Sequence, residues 1–331
     1  MRLDSARSLK QEVATTLASQ LPSAGEVASF GLAARRVSEV DRVQRTVAIG
    51  IAPVKRNDYK LAVRVQRRGL EDSPQVDSVR SKARGEVDVR YIGRVSKRAT
   101  PWQRQRQRPL LIGLSVGHFE VTAGTLGCFV QRRSGGVRIL SNNHVLADEN
   151  RGSRGDRILQ PGRVDGGRAR DRIGGLDRYI RMKATGTNLV DCALAQLDEG
   201  VRAEPAELHG VGKLAGVAEE LPREAEAVAK LGRTTGHTTG RITAFELDNV
   251  IVAYDMGNLR FDDQIEIEGA GTGPFSQGGD SGSLIFTSGD HLALALLFAG
   301  GDQGGSNGMG LTYANPIQAV LTALRAELIL A

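Results

Sequence analysis

Residues 278–283 read Gly-Gly-Asp-Ser-Gly-Ser, and this run restricts the fold more than any other feature of the chain. Glycines on both sides of Ser281 let the backbone turn tightly enough to aim successive N–H groups at one point, where an oxyanion would form during acyl transfer. Taken alone, the run is also ordinary turn chemistry. It gains meaning from two residues upstream. An apolar run, Val137-Arg138-Ile139-Leu140, delivers His144 to the polar corner Ser141-Asn142-Asn143-His144. Asp191 stands inside the apolar segment Leu189-Val190-Asp191-Cys192-Ala193-Leu194, where a carboxylate needs a partner. A histidine N–H supplies one, and the bond fixes the tautomer needed for base catalysis. Asp165, Asp171 and Asp177 share the interval between His144 and Ser281, but they sit in Gly/Arg-rich text and read as solvated.

The order His, Asp, Ser separates this arrangement from folds that carry the same groups as Ser…Asp…His or Asp…His…Ser. Four segments sharpen the comparison: Val121-Thr122-Ala123-Gly124-Thr125-Leu126-Gly127-Cys128, Leu140-Ser141-Asn142-Asn143-His144-Val145-Leu146, Ile158-Leu159-Gln160-Pro161-Gly162 and Gly278-Gly279-Asp280-Ser281-Gly282. On these residues the chain resembles the trypsin-like (chymotrypsin-fold) serine peptidases, and more narrowly the plant narrow-leaf protein and its bacterial homologues. The likeness runs from about Pro109 to Tyr313 and is looser over 46–94.

The resemblance implies a mainly β, chymotrypsin-like double β-barrel with the site in the cleft between barrels. It implies a serine endopeptidase working through an acyl-enzyme on a protein or peptide substrate. Ser281 would be the nucleophile, His144 the base and Asp191 the orienting carboxylate. The N–H groups of Gly279 and Ser281, with Asp280 as a further donor, would form the oxyanion hole. The substrate pocket falls near Phe275-Ser276 and Phe298-Ala299-Gly300. No acid stands at its base, which favours a small or apolar residue before the scissile bond. His237 could instead accept an acidic one, against an equally good reading as a surface turn residue.

Composition fits this picture. Aromatics are only 4% of the residues while glycines number 41, a balance that suits aliphatic-cored β structure with many turns. No run of 18 or more apolar residues offers a membrane span, and Met1-Arg2-Leu3-Asp4-Ser5-Ala6-Arg7 lacks the apolar core of a signal peptide. The two cysteines, Cys128 and Cys192, read as small buried hydrophobes, and Val145 stands where secreted relatives carry a half-cystine beside the histidine. A reducing, cytoplasmic setting is the natural expectation. His118, His209, His237 and His291 have no metal-ligand spacing, so neither a metal nor another cofactor is expected. The runs Gly269–Pro274 and Gly300–Gly305 lack the Gly-Lys-Ser/Thr ending of a phosphate loop and read as loops beside the cleft.

Three stretches follow along the chain. Residues 1–93 predict a helix and a small α+β domain: Leu9, Val13, Leu17 and Leu21 recur every four residues over 4–20, and strands follow at Thr46–Ile51, Leu61–Val65 and Val87–Ile92. Residues 94–108 form a basic linker containing Arg94, Lys97, Arg98, Arg104, Arg106 and Arg108, broken by Pro101. With a net charge of +6, a phosphate-binding tether around Trp102 is one reading of it. A solvated, self-repelling linker is the preferred one, because no nucleic-acid motif accompanies the charge. Residues 109–331 form the double barrel, opened by the Phe129–Leu140 hairpin and closed by a helix over 315–328. No Ile-Val-Gly-Gly-type segment is present to order the pocket on cleavage, so the site is preformed or is gated by residues 1–108 or a partner; gating is the expectation carried forward. A catalytically silent scaffold and a basic nucleic-acid-associated protein are the alternatives, and a homo-oligomer is compatible with all of these.

Overall fold

The computed structural model describes residues 1–19, 47–66, 68–93, 100–219 and 227–330. They belong to two compact units, Met1–Ala99 and Thr100–Ala331. Leu21 and residues 94–99 of the expected linker lie outside the described residues.

The first unit runs α1 (Leu3–Ser19), β1 (Val47–Lys55), β2 (Asp58–Val65), α2 (Pro74–Lys82) and β3 (Val87–Tyr91). β1 and β2 pair antiparallel, and β3 returns parallel to β2. A parallel return needs a crossover, which α2 supplies. α2 is an element beyond the sequence expectation, although its start is legible: Ser73 accepts the Val76 N–H at 3.4 Å and Pro74 opens the first turn. Leu9 and Val13 of α1 close a core with Leu61, Val63, Val65, Val76 and Val79.

The second unit begins with β4 (Ser115–His118), β5 (Gly124–Thr125), β6 (Cys128–Gln131) and β7 (Arg138–Ser141). The single turn α3 (Asn143–Leu146) follows, then β8 (Arg157–Leu159), β9 (Arg172–Tyr179), β10 (Thr187–Asn188) and β11 (Ala193–Leu197). Six of these pair in the order β6-β7-β11-β9-β8-β4, with β5 on the far side of β4. The sheet curls until residues 126 and 127 join its two ends: Leu126 donates to Leu114 and Gly127 to Leu140. The result is an open barrel filled by Val116, Leu126, Phe129, Ile139, Leu140 and Leu194.

Short ladders β12 (Glu207–Leu208), β13 (Gly212–Lys213) and β14 (Gly216–Val217) lead to the second barrel: β15 (Ala227–Gly232), β16 (Gly236–Leu247), β17 (Val250–Tyr254), β18 (Gly257–Phe261), β19 (Gln264–Gly269), β20 (Leu284–Thr287), β21 (Leu292–Gly300) and β22 (Leu311–Pro316). Six of these close a ring, β15-β16-β19-β22-β21-β20, sealed by the β15–β20 and β21–β22 pairings. β17 and β18 leave the ring as a hairpin that joins β10 in a separate three-stranded sheet. The chymotrypsin-like double β-barrel expected from the sequence is therefore the fold of this unit. No helix among the described residues is long and apolar enough to cross a membrane.

Two boundaries differ from expectation. Residues 100–108 belong to the second unit and are strapped across it. Arg104 donates to the carbonyls of Arg233 (3.1 Å) and Thr234 (3.4 Å). Gln160 accepts from the Gln107 N–H (3.0 Å) and Arg108 (2.5 Å), and Arg106 pairs with Asp171 at 3.2 Å. Charge density suggested a solvated linker; the guanidiniums instead satisfy protein acceptors. The C-terminal helix α4 (Ile317–Leu324) is shorter than 315–328. It ends where Arg325 turns left-handed (φ 53°), and Glu327–Leu328 become β23, antiparallel to β6.

Candidate active site

α3 leaves β7 and carries His144 to the rim of the cleft, with its Nδ1 2.5 Å from Oδ2 of Asp191. Asp191 is fully buried, and both oxygens are occupied. Oδ1 accepts the backbone N–H groups of Asn143 (2.7 Å) and His144 (3.3 Å), and Oδ2 also accepts the hydroxyl of Tyr254 at 2.8 Å. The Asp191 N–H donates to Asn315 Oδ1 (2.9 Å), and its carbonyl accepts from Asn142 Nδ2 (2.7 Å). A buried carboxylate is tolerated when it gathers this many donors. Tyr254, at the end of β17, had no local sequence signal; only the fold brings it to Asp191.

Burial pushes the His144 pKa down, but the charge and hydrogen bond of Asp191 outweigh this, with Glu149 adding to them, so the value ends above that of an ordinary imidazole. Burial and then the Asp191 charge hold the Tyr254 phenol well above its usual range, which keeps it protonated and a donor.

Ser281 lies half-buried across the same cleft. Thr125 docks its loop from the first barrel: the Thr125 N–H donates to the Ser281 carbonyl (2.8 Å) and Oγ1 to the Gly279 carbonyl (3.0 Å). Gly124 permits this approach, since a Cβ there would lie 2.4 Å from Val145 and 3.0 Å from the Ser281 carbonyl. Thr234 Oγ1 holds the Gly278 carbonyl at 2.8 Å. In a trans peptide the C=O and N–H point oppositely, so the Gly279 N–H is turned away from Thr234. Gly279 has φ 93°, a conformation that favours glycine.

Asp280 does not serve as an oxyanion donor, contrary to expectation: its N–H is already bonded to the Gln277 carbonyl at 2.9 Å. Its buried carboxylate instead organises the loop. Oδ1 accepts the N–H groups of Thr234 (2.7 Å) and Thr235 (3.1 Å), and Oδ2 accepts the Thr235 hydroxyl (2.7 Å) and the Gln277 N–H (3.0 Å). Lys230 Nζ stands 3.5 Å from Oδ2.

The cleft, about 620 Å³, is lined by His144, Ser281, Val252, Tyr254, Phe298 and Gly300, with Ala299 also on its wall and Glu149 and Asp302 as its acidic members. Ser276, on the lining, hydrogen-bonds Thr312 at 2.7 Å. Two expected pocket residues are elsewhere. Phe275 is buried in the second-barrel core, its ring 5.7 Å from Lys230 Nζ. His237 is opposite Leu231 in the β15–β16 ladder, exposed and off the cleft, and burial and the nearby Lys230 charge lower its pKa. The aspartates expected to be solvated are buried by arginines: Asp165 by Arg233 (2.7 Å), Asp177 by Arg138 (2.7 Å) and Asp171 by Arg106. Cys128 and Cys192 are free and buried, and burial alone pushes the Cys128 thiol up to about 12.

No protein-family model matches the chain, and neither does any curated protein sequence. Solved structures do. Thermobifida fusca Protease A is 18% identical with a TM-score of 0.46, over 67% of this chain and 98% of that one. Cellulomonas bogoriensis chymotrypsin is 21% identical with a TM-score of 0.45, over 67% and 98%. A glutamic acid specific serine protease, described as using a novel histidine triad in substrate binding, is 20% identical with a TM-score of 0.48, over 66% and 100%.

Proposed function

We propose that the chain is a serine endopeptidase. The observation that carries this reading is the short His144–Asp191 bond on one side of a cleft whose other side presents Ser281. Asp191 holds the proton on Nδ1, which leaves Nε2 free to take the proton from Ser281 as it attacks a peptide carbonyl. His144 then protonates the leaving amine, and water repeats the sequence to free the acyl group. The N–H groups of Gly279 and Ser281 receive the oxyanion, and in other enzymes removing one such donor costs about 3 kcal/mol of transition-state stabilisation. The uncharged lining at Ser276 and Gly300 favours a small, uncharged residue before the scissile bond. With His237 off the cleft, no Lys or Arg among the described lining residues supports an acidic preference.

Against a silent scaffold stands a cleft of about 620 Å³ within the second unit, lined by both His144 and Ser281. Regulation by the amino-terminal unit is proposed to act on access to the cleft, since the oxyanion loop is already held by groups inside the second unit. The narrower likeness to the narrow-leaf protein and its bacterial homologues rests on the four sequence segments. The test of the activity is fluorophosphonate labelling read by intact mass. One adduct on the wild type and none on Ser281→Ala supports the proposal; folded wild-type protein that takes no adduct refutes it.

A further inference from the structure

Tyr254 and His144 meet at one oxygen. The phenol donates to Asp191 Oδ2 at 2.8 Å, the imidazole Nδ1 lies 2.5 Å from the same atom, and the two rings stand edge to face at 5.8 Å. Tyr254 is the last residue of β17, and the turn that follows is clasped by the segment just after α3. Glu149 accepts the N–H groups of Asp255 (3.2 Å) and Met256 (3.1 Å), and Arg151 reaches Asp255 at 3.5 Å. Asp148, Glu149 and Asn150 all have positive φ (47°, 52° and 72°), a left-handed bend that few residues adopt in series. The chain is thus bent, directly after the histidine, to hold this hairpin.

The hairpin also faces the cleft. Val252, Ala253 and Tyr254 line the cleft, and among the described residues β17 pairs only with β18. Tyr254 stands opposite Gly257 across a two-residue turn, so these two form a hydrogen-bonded pair. Alternation then turns the N–H and C=O of Ala253 outward, to an edge open to an added strand.

We propose that Tyr254 is a positioning member of the relay and that the β17 edge carrying it receives the substrate backbone, so that an extended peptide along Val252–Tyr254 sets the alignment of Asp191 and His144. This rests on the peptidase reading for its substrate class, but the Tyr254–Asp191 contact can be tested without turnover. The titratable groups facing the imidazole are Asp191, Glu149 and Tyr254, with Ser281 across the cleft.

The first measurement is the His144 ring titration by NMR in wild type and Tyr254→Phe. Asp191 loses a donor that shares its charge, so the imidazole should hold its proton to higher pH in the variant; an unmoved titration overturns the positioning role. The second compares kcat/KM for a single-residue ester and for peptides extended on the acyl side. Ala253→Pro removes one outward N–H at a position where an edge strand tolerates proline. It should cost the extended peptides about tenfold more than the ester, the worth of one hydrogen bond. Equal loss on ester and peptide overturns the edge role. Failure of the wild type to label with fluorophosphonate would refute the peptidase reading while leaving the titration result standing.

Discussion

Lys230 and Asp280 face each other at 3.5 Å with neither side chain exposed to solvent. Burial pushes the Lys230 pKa down and Asp280 opposes it. Nζ also donates to Thr235 Oγ1 (2.6 Å) and the Gly236 carbonyl (3.3 Å), so the cation is satisfied on three sides. Asp280 in turn ties together residues 234, 235 and 277 around the loop that carries Ser281. Lys230→Met keeps much of the volume but leaves Asp280 a buried anion without its cation. Removing one partner of such a pair costs about 3–5 kcal/mol. Urea unfolding should show a loss of that order, and fluorophosphonate labelling of Ser281 should slow with it. A variant as stable and as reactive as wild type would mean that the lysine does not hold the loop.

Asp191→Asn replaces an acceptor with a group that donates to Nδ1 as readily as it accepts. The imidazole then adopts the tautomer with its proton on Nε2, facing the serine it should deprotonate. In triads of this kind the loss in kcat is about 10⁴. Because Asn143, His144 and Tyr254 all donate to this carboxylate, the substitution should also lower the melting temperature. An active Asp191→Asn protein would remove Asp191 from the mechanism.

The pH profile follows from the direction of the His144 shift. The folded value is raised above the ordinary 6.5, with burial opposing and Asp191 prevailing. In the proposed mechanism the free base is the active form, so kcat/KM should rise with pH through a midpoint above 6.5. The linkage has the opposite sign for stability. The added attraction between charged His144 and Asp191 contributes fully below the unfolded imidazole value and is lost as pH rises through the folded one, while the Nδ1–H bond of the neutral ring remains. Replacing His144 with Gln should therefore flatten that part of a stability–pH curve as well as abolish turnover. An activity midpoint below 6.5 would contradict the geometry.

What the sequence revealed and what it hid divide along a physical line. His144, Asp191 and Ser281 each sit in text whose local chemistry needs explaining, a polar corner, a lone acid among apolar residues and a glycine-flanked serine. The structure gathers them at one cleft, with Asp191 beneath His144. Tyr254 carries no such local signal, because its partner is 63 residues away and is met only when the β17–β18 hairpin folds over. Phe275 and His237 are near Ser281 or its barrel in sequence, but a bend outside the strands turns Phe275 into the second-barrel core, and His237 is an exposed position of the β15–β16 ladder. Asp280 was read by its position beside Ser281, whereas its backbone N–H had a closer acceptor in Gln277. The basic run signals charge, and charge says nothing about which carbonyls a guanidinium will find.

That last point decides where the chain can be cut. Arg104 holds the carbonyls of Arg233 and Thr234, and Thr234 Oγ1 holds the Gly278 carbonyl next to Gly279. Residues 100–108 are therefore part of the second unit, and two truncations should behave differently. A chain beginning at Thr100 keeps Arg104 and should label at Ser281 at least as fast as the full chain; faster labelling would mean that residues 1–99 restrict access to the cleft. A chain beginning at Pro109 loses the Arg104 bonds, each worth about 1.5–3 kcal/mol for a charged donor. It also leaves Gln160 without Gln107 and Arg108. It should be less stable in urea and label more slowly, even when folded. Equal labelling and equal stability in the two truncations would show that the strap contributes nothing to the site.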